Sequence, residues 1–426
     1  MSGAGGEKAP LALGIDVGTS GVRAALIDAA GEAMAQASAP MAGDNRDPST
    51  WAAALDRALD GLDPMLRSRV SALSVDATSG TVLALDGADA PVGAAMLYDE
   101  AVEDPAVPAA LAAVAPRESA AHGAASALAR AIVLSRQPGA VRIAHQADWI
   151  AGLFSGRFDA SDESNALKTG YDPVARRWPD WLGTLPIERT ALPEVVPAGT
   201  PTGAVTADAA ARFGLPGGAA VVAGMTDGCA AFMATGADRP GDGVTSLGTT
   251  LTVKLLSDRP VFAPEYGIYS HRIGDLWLAG GASNTGGGAL AQHFDAVAIE
   301  ALSARIDPER PSGLDYYPLP KPGERFPVAD PAMAPRVEPR PEDDALFLHG
   351  LLEGIAGVEA LAYRRLAELG TPALRSLRTV GGGARNATWR AIRARLTGAP
   401  MAPSRSEEAA VGVARLAAAH LPATTA

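Results

Sequence analysis

LGIDVGTSGVRAALID, residues 13–28, decides the fold. Leu11 to Ile15 is a short apolar run, DVGTSG is rich in turn formers, and Val22 to Ile27 is a second apolar run closed by DAAG. Two short apolar runs around a glycine-rich turn predict a β-hairpin that opens a domain. Small residues in the turn let backbone N–H groups approach phosphate oxygens, hydroxyls add donors, and Asp16 can hold a divalent cation through water. A plain hairpin turn with an Asp near its start is the competing reading at this point.

Outward from the hairpin, a third strand is expected over Glu32 to Ala39, followed by a helix with Asp47 as cap and Trp51, Leu55 and Leu59 on one face. Strands are expected at Val70 to Val75, Thr81 to Leu85 and Ala219 to Ala223, the last leading into a loop that carries Asp227. Residues 104–155 read as mostly helical, and 159–202 as a turn-rich cap or substrate wall. A shift of the chain by 230 positions lays Gly248, Thr249 and Thr250 on Gly18, Thr19 and Ser20, and Leu256 and Asp258 on Leu26 and Asp28. One strand-turn-strand unit therefore occurs twice, which favours two related domains facing each other across a cleft. The domains are expected at 1–236 and 237–426. Further on, Pro311 to Pro341 is too proline-dense for regular structure, and Glu353 to Leu369, Asn386 to Leu396 and Glu407 to His420 read as helices around a strand at Leu377 to Val380. Strands alternating with helices make an α/β protein.

Composition bounds the chemistry. The 426 residues carry a net charge of −12 and are 47% hydrophobic, 20% charged and only 5% aromatic. That length buries substantial cores, and the acidic balance argues against nucleic acid or an anionic membrane as partner. Cys229 is the one cysteine, so there is no intramolecular disulfide and no multi-thiolate zinc site; a reducing, cytoplasmic setting fits. MSGAGGEKAP at 1–10 does not read as a signal peptide, and no apolar run approaches the roughly 20 residues of a spanning helix.

Asp227 sits in GMTDG at 224–228, after a buried strand and before a helix, where α/β proteins place chemistry; it suits a general base or, alternatively, a helix cap. Asp76 and Ser79 in SVDATSGT end another strand and could hydrogen-bond a polyol, or merely make a turn. GGGARN at 381–386 lacks dinucleotide-fingerprint spacing but could let an adenine or ribose lie against backbone, a tight turn being the alternative. GGASNTGGG at 280–288 is read as close element packing. No Walker A, HExxH, GxSxG or HRD-like signature is present.

The order of LGIDVGTSGVRAALID, WAAAL, SVDATSGTVLALD, HQADWIAGLFSGRFDASDESNALKTGYD, GMTDG, SLGTT, GGASNTGGG and TVGGGARNATWRAIRARLTGAP resembles the FGGY carbohydrate kinase family over nearly the whole chain. The resemblance implies two ribonuclease-H-like domains of the actin, hexokinase and Hsp70 ATPase type flanking a catalytic cleft. It further implies ATP and Mg²⁺, with Asp16 and Asp227 near the metal, Gly18, Thr19, Ser20, Gly248, Thr249 and Thr250 at the phosphates, and Gly382, Gly383 and Asn386 beside adenosine. Asp227 is then the catalytic base, and Asp76 and Ser79 join Asp16 and Asp227 around the sugar. Xylulokinase-like members carry Met-His, and glycerol kinases Arg-Glu, where this chain has Ser79 and Gly80. The VDATSG loop looks more like the D-ribulose kinase branch of plants and cyanobacteria. The expected activity is phosphorylation of a small ketose at its terminal hydroxyl, D-ribulose first and D-xylulose or a pentitol second, by a monomer or homodimer. A non-catalytic sugar and ATP sensor of the same fold is the reading from a different class.

Overall fold

Leu11–Val17 (β1) and Gly21–Ile27 (β2) pair antiparallel, with Asp16 opposite Arg23, so the hairpin is present. All seven residues of β1 are buried, as a near-continuous apolar run requires in a strand covered on both faces. Ala33–Pro40 (β3) extends the antiparallel ribbon. Val70–Ala77 (β4) runs parallel to β1, Pro201–Ala204 (β5) lies at the far edge, and Ala220–Thr226 (β6) runs parallel to β4, giving the order β5-β6-β4-β1-β2-β3.

This computed structural model describes residues 9–422, so the reading of the amino-terminal ten residues falls largely outside the described residues. The chain divides into two units: one runs up to Ala234, with Arg272–Gly274 and the stretch from Glu408 onward, and the other comprises Thr235–His271 and Asp275–Glu407. The expected second domain of 237–426 therefore loses its terminal helix. Ala409–Ala418 packs on β1, β2, β4 and the helix Asp227–Ala234 of the first unit. The physical reason is close approach: a Cβ on Gly14 would lie 1.9 Å from the Ala410 carbonyl oxygen, and one on Gly412 would lie 1.8 Å from that of Ala230. The helix lays Ala410, Val411, Ala414 and Ala417 against Ala12, Ala25, Ala72 and Val222.

The expected helix after the third strand is Pro48–Asp60, capped by Asp47, whose carboxylate accepts the Ser49 N–H at 2.9 Å. The expected strand at Thr81 to Leu85 is Val82–Leu85, but it belongs to a separate three-stranded sheet with Pro91–Met96 and Arg142–His145. The loop expected to carry Asp227 is absent, because β6 continues to Thr226 and Asp227 is the first residue of the following helix.

In the second unit Asp242–Leu247 (β7) and Leu251–Ser257 (β8) form a hairpin, Leu276–Ser283 (β9) pairs with β8, and Ser376–Val380 (β10) runs parallel to β7. The order β9-β8-β7-β10 repeats β3-β2-β1-β4, so the duplication seen at a shift of 230 residues is a duplication of topology. Helix Asp344–Glu368 begins nine residues before the expected Glu353, with Asp343 accepting the Ala345 N–H. Gly350 and Gly354 within it are packing residues, whose Cβ atoms would lie 2.7 Å from Tyr316 and Pro318. By length and composition alone that helix could cross a membrane, but it is mostly buried in the unit's core. The proline-dense stretch carries no named strand or α-helix, yet Tyr316, Tyr317, Leu319 and Phe326 are buried.

Beneath the second sheet Arg393 grips Glu359 with two bonds of 2.6 Å and donates to Thr379 at 2.7 Å, while Thr245 donates to Glu359 and meets the Tyr363 hydroxyl. Both charges are fully buried, so each depends on the other. Arg393→Met, which strands the Glu359 carboxylate, is expected to destabilise the protein by about 3–5 kcal/mol in denaturant unfolding; an unchanged midpoint contradicts this.

Candidate active site

The three parallel strands β1, β4 and β6 finish at one edge of the first sheet. Their register sets Asp16 beside Asp76, and Thr226 beside Ala77, so Asp227 follows at the next position. The structure therefore brings Asp16, Asp76 and Asp227 to adjacent strand ends, with Gly18–Ser20 leaving β1 and Ser79 two residues beyond β4. Asp227 is half-buried and its Oδ1 accepts the Gly228 N–H at 2.7 Å. Asp227 is the first residue of the following helix and directly follows the end of β6.

Asp76 is 0% exposed and neither of its oxygens meets an N–H or O–H donor. Burial pushes its carboxyl well above the ordinary value, and the neighbouring Asp16 and Asp227 charges push it further. Burial also raises Asp16, opposed by Arg23, whose guanidinium lies 3.2 Å from Oδ2. Both carboxyls are held above the ordinary value, as burial and neighbouring like charge dictate.

Ser79 Oγ is buried and unpartnered as well. Its loop turns at Gly80, φ +89°, whose carbonyl is held by Arg130 at 2.8 Å. Arg130 also grips the carbonyls of Glu100 and Ala125, and burial lowers its guanidinium to about 10. This anchor was missed in the sequence; its signal is a single Arg inside the apolar helical stretch ALARAIVLS. Gln146, another buried side chain with an unpartnered oxygen, was missed too.

In the second unit Gly248, Thr249 and Thr250 are exposed at the β7–β8 turn, as Thr19 and Ser20 are at the β1–β2 turn. GGASNTGGG is more than element packing. Gly287 N–H donates to the Gly248 carbonyl at 2.8 Å and Gly288 N–H to that of Thr249 at 2.9 Å, so the glycine run shapes the expected phosphate loop. A Cβ on Gly287 would lie 2.8 Å from the Gly248 oxygen, which is why the run is glycine. Gly382 and Gly383 follow β10, the parallel neighbour of β7. A Cβ at Gly382 would meet nothing within 4 Å, leaving backbone open to a flat ligand, whereas one at Gly383 would strike Leu247 and Trp389. Asn386 caps the helix Ala387–Thr397 through the Trp389 N–H and donates to Ser303, so both ends of its amide are engaged. The turn reading accounts for Gly383 and Asn386, and the open-backbone reading for Gly382.

Among the described residues no three His, Cys, Asp or Glu side chains converge to enclose a metal. Mg²⁺ needs no such cage, since it keeps waters and takes one or two carboxylates plus substrate phosphates. The hard oxygen donors at Asp16 and Asp227, with Asp76 unpartnered behind them, fit such an ion.

Residues 243–421 match the C-terminal domain of the FGGY family of carbohydrate kinases. Autoinducer-2 kinase of Yersinia enterocolitica is 29% identical over 296 residues, covering 63% of this chain and 55% of that protein. The chain thus spans about half the length of the curated relatives it matches. A xyloylose kinase from Brucella ovis superposes with a TM-score of 0.82 at 25% identity over 96% of this chain and 90% of its own. Xylulose kinase from Rhodospirillum rubrum gives 0.80 at 23%, over 95% and 89%. The α/β architecture is the two-domain ATPase fold of those proteins, as the paired ribonuclease-H-like domains implied.

The Asp76 carboxyl supplies a pH test. Its raised value in the fold means the folded state binds a proton that the unfolded chain releases near pH ~3.9, so its contribution falls as pH rises through that window. Asp76→Asn, which does not titrate, is expected to gain stability relative to wild type as pH rises above about 4. Parallel pH profiles in denaturant unfolding contradict the raised Asp76 carboxyl.

Proposed function

We propose that this chain, whose residues 243–421 match the FGGY C-terminal domain, is an ATP- and Mg²⁺-dependent carbohydrate kinase acting on the terminal hydroxyl of a small ketose, D-ribulose first. The observation that carries the reading is the row of carboxylates at the ends of β1, β4 and β6, two of them deeply buried, with exposed glycine and hydroxyl turns at the same strand positions of both units. Similarity to kinases of autoinducer-2 and xylulose supports sugar phosphorylation over a passive sensor.

Asp227 is the general base. One of its oxygens is engaged by the Gly228 N–H, which leaves the other to accept the proton of the attacking sugar hydroxyl. The sugar oxygen, its proton passed to Asp227, then attacks the γ-phosphoryl group in line and ADP leaves, a reaction in which positioning and charge stabilisation do most of the work. Gly18, Thr19 and Ser20 in the first unit, and Gly248, Thr249 and Thr250 in the second, offer backbone N–H groups and hydroxyls suited to phosphate, and Gly382 leaves backbone open to an adenosine. Asp16 and Asp227 would hold Mg²⁺, which neutralises phosphate charge when bound. Ser79 Oγ, the Asp76 carboxyl and Gln146 Oε1 are buried polar atoms without partners, a set that a polyhydroxylated ligand would satisfy. A sugar that leaves one of them unpaired loses about 1–3 kcal/mol, which makes this group the source of selectivity. The Ser79 loop supports D-ribulose; similarity to xylulose kinases keeps D-xylulose as the second reading.

ADP release with Mg²⁺-ATP across D-ribulose, D-xylulose, ribitol, xylitol, glycerol, autoinducer-2 and no sugar tests substrate class. Strong stimulation by one ketopentose is expected, and sugar-independent hydrolysis counts for the sensor. Asp227→Asn should fold normally and lower turnover roughly 10²–10⁴-fold, the usual range for a lost general base.

A further inference from the structure

On its outer side the strand that leads to Asp227 loses its sheet partner before it ends, although Met225 and Thr226 stay paired with Asp76 and Ala77 of β4. Strand β6 makes its last bonds to its outer neighbour at Ala223, whose N–H reaches the Thr200 carbonyl and whose carbonyl takes the Gly199 N–H, both at 2.8 Å. At Gly224 the strand presses onto β4 so closely that a Cβ would lie 1.7 Å from the Val75 oxygen, and the register shifts between Val222 and Met225. Beyond that point the Thr226 N–H turns to a side chain instead, donating to Ser164 Oγ at 3.0 Å.

Ser164 is 1% exposed and its hydroxyl is fully committed, because it also donates to Asp162 Oδ1 at 2.6 Å. The Asp162 carboxylate, itself 1% exposed, is fixed in turn by the N–H groups of Ser164 and Asn165 at 2.7 and 3.0 Å and by Asn165 Nδ2 at 2.6 Å. A continuous chain of short bonds therefore runs from Asp162 through Ser164 to the amide one residue before the base. The SDESNA segment thereby has a task that its polar composition alone did not disclose.

We propose that Ser164, oriented by Asp162, is a positioning residue that fixes the Met225–Thr226 peptide, one residue before Asp227, and so aims the Asp227 carboxylate. The proposal rests on Asp227 being the base. It touches no substrate itself; its effect is geometric, and small misplacements of a reacting group weigh heavily on rate.

The test uses the full chain and three variants, assayed with Mg²⁺-ATP and D-ribulose, or whichever sugar of the panel turns over fastest. Ser164→Ala is expected to lower kcat about tenfold while leaving KM for ATP and sugar within about twofold, and Ser164→Thr, which keeps the hydroxyl, to restore most of the rate. Amide hydrogen exchange, which needs no substrate, should show faster exchange across 222–230 in Ser164→Ala with 11–17 unchanged. Wild-type kcat together with unchanged exchange at 222–230 overturns the proposal. So does general loss of protection that includes 11–17, which would mark Ser164 as a residue of the fold alone. Asp227→Asn separates the two ideas: wild-type turnover there withdraws Asp227 as the base, whereas an inactive Asp227→Asn beside a fully active Ser164→Ala withdraws only the positioning role.

Discussion

The contact between the helix Ala409–Ala418 and the first sheet is the constraint on which the candidate site depends. Gly14 and Gly412 remove the two Cβ atoms that would hold that helix off β1 and off the helix begun by Asp227. With them gone, one helix closes the sheet face behind β1, β4 and β6 and touches the helix begun by Asp227. Burial of that face takes the strand ends out of water. It is burial, more than any neighbouring charge, that raises the carboxyls of Asp16 and Asp76.

Once those strand ends are dry, every polar group near them must be answered. Arg130 answers three carbonyls and so shapes the Ser79–Gly80 turn. Asp162 and Ser164 answer the Thr226 amide that the shifted strand leaves over. Ser79 Oγ, Gln146 Oε1 and the Asp76 oxygens are among the buried atoms that stay unanswered. In a buried setting such atoms are costly unless a partner meets them.

The second unit uses the same strand order with different means. Its sheet is tied to its helices by the buried Glu359–Arg393 pair and Thr245. Its exposed turn at 248–250 is shaped by the backbone of Gly287 and Gly288. The repeated topology explains why two similar loops occur half a chain apart, and the different supports explain why so few residues match beyond the loops themselves.

Local sequence was sufficient for the hairpins, the Asp47-capped helix, the α/β class and the duplication, because apolar period, turn residues and caps act over a few positions. It also placed Asp16, Asp76 and Asp227 at strand ends, since a carboxylate directly after a buried apolar run has few other places to go. It did not disclose which unit the last helix joins, for that depends on Gly14 and Gly412 meeting backbone nearly the whole chain away. Nor did it disclose where helix Asp344–Glu368 begins, because Gly350 and Gly354 look like breaks until Tyr316 and Pro318 fill the space beside them. Arg130, Gln146, Ser164 and the Gly286–Gly288 strap were likewise illegible, since each acts on a partner distant in sequence. The chain by itself determined the elements and the chemical groups at their ends; tertiary structure alone decided which carboxyls are buried side by side, which amide a hydroxyl must hold, and which glycines exist to let backbones touch, because burial and close packing are properties of the assembled fold.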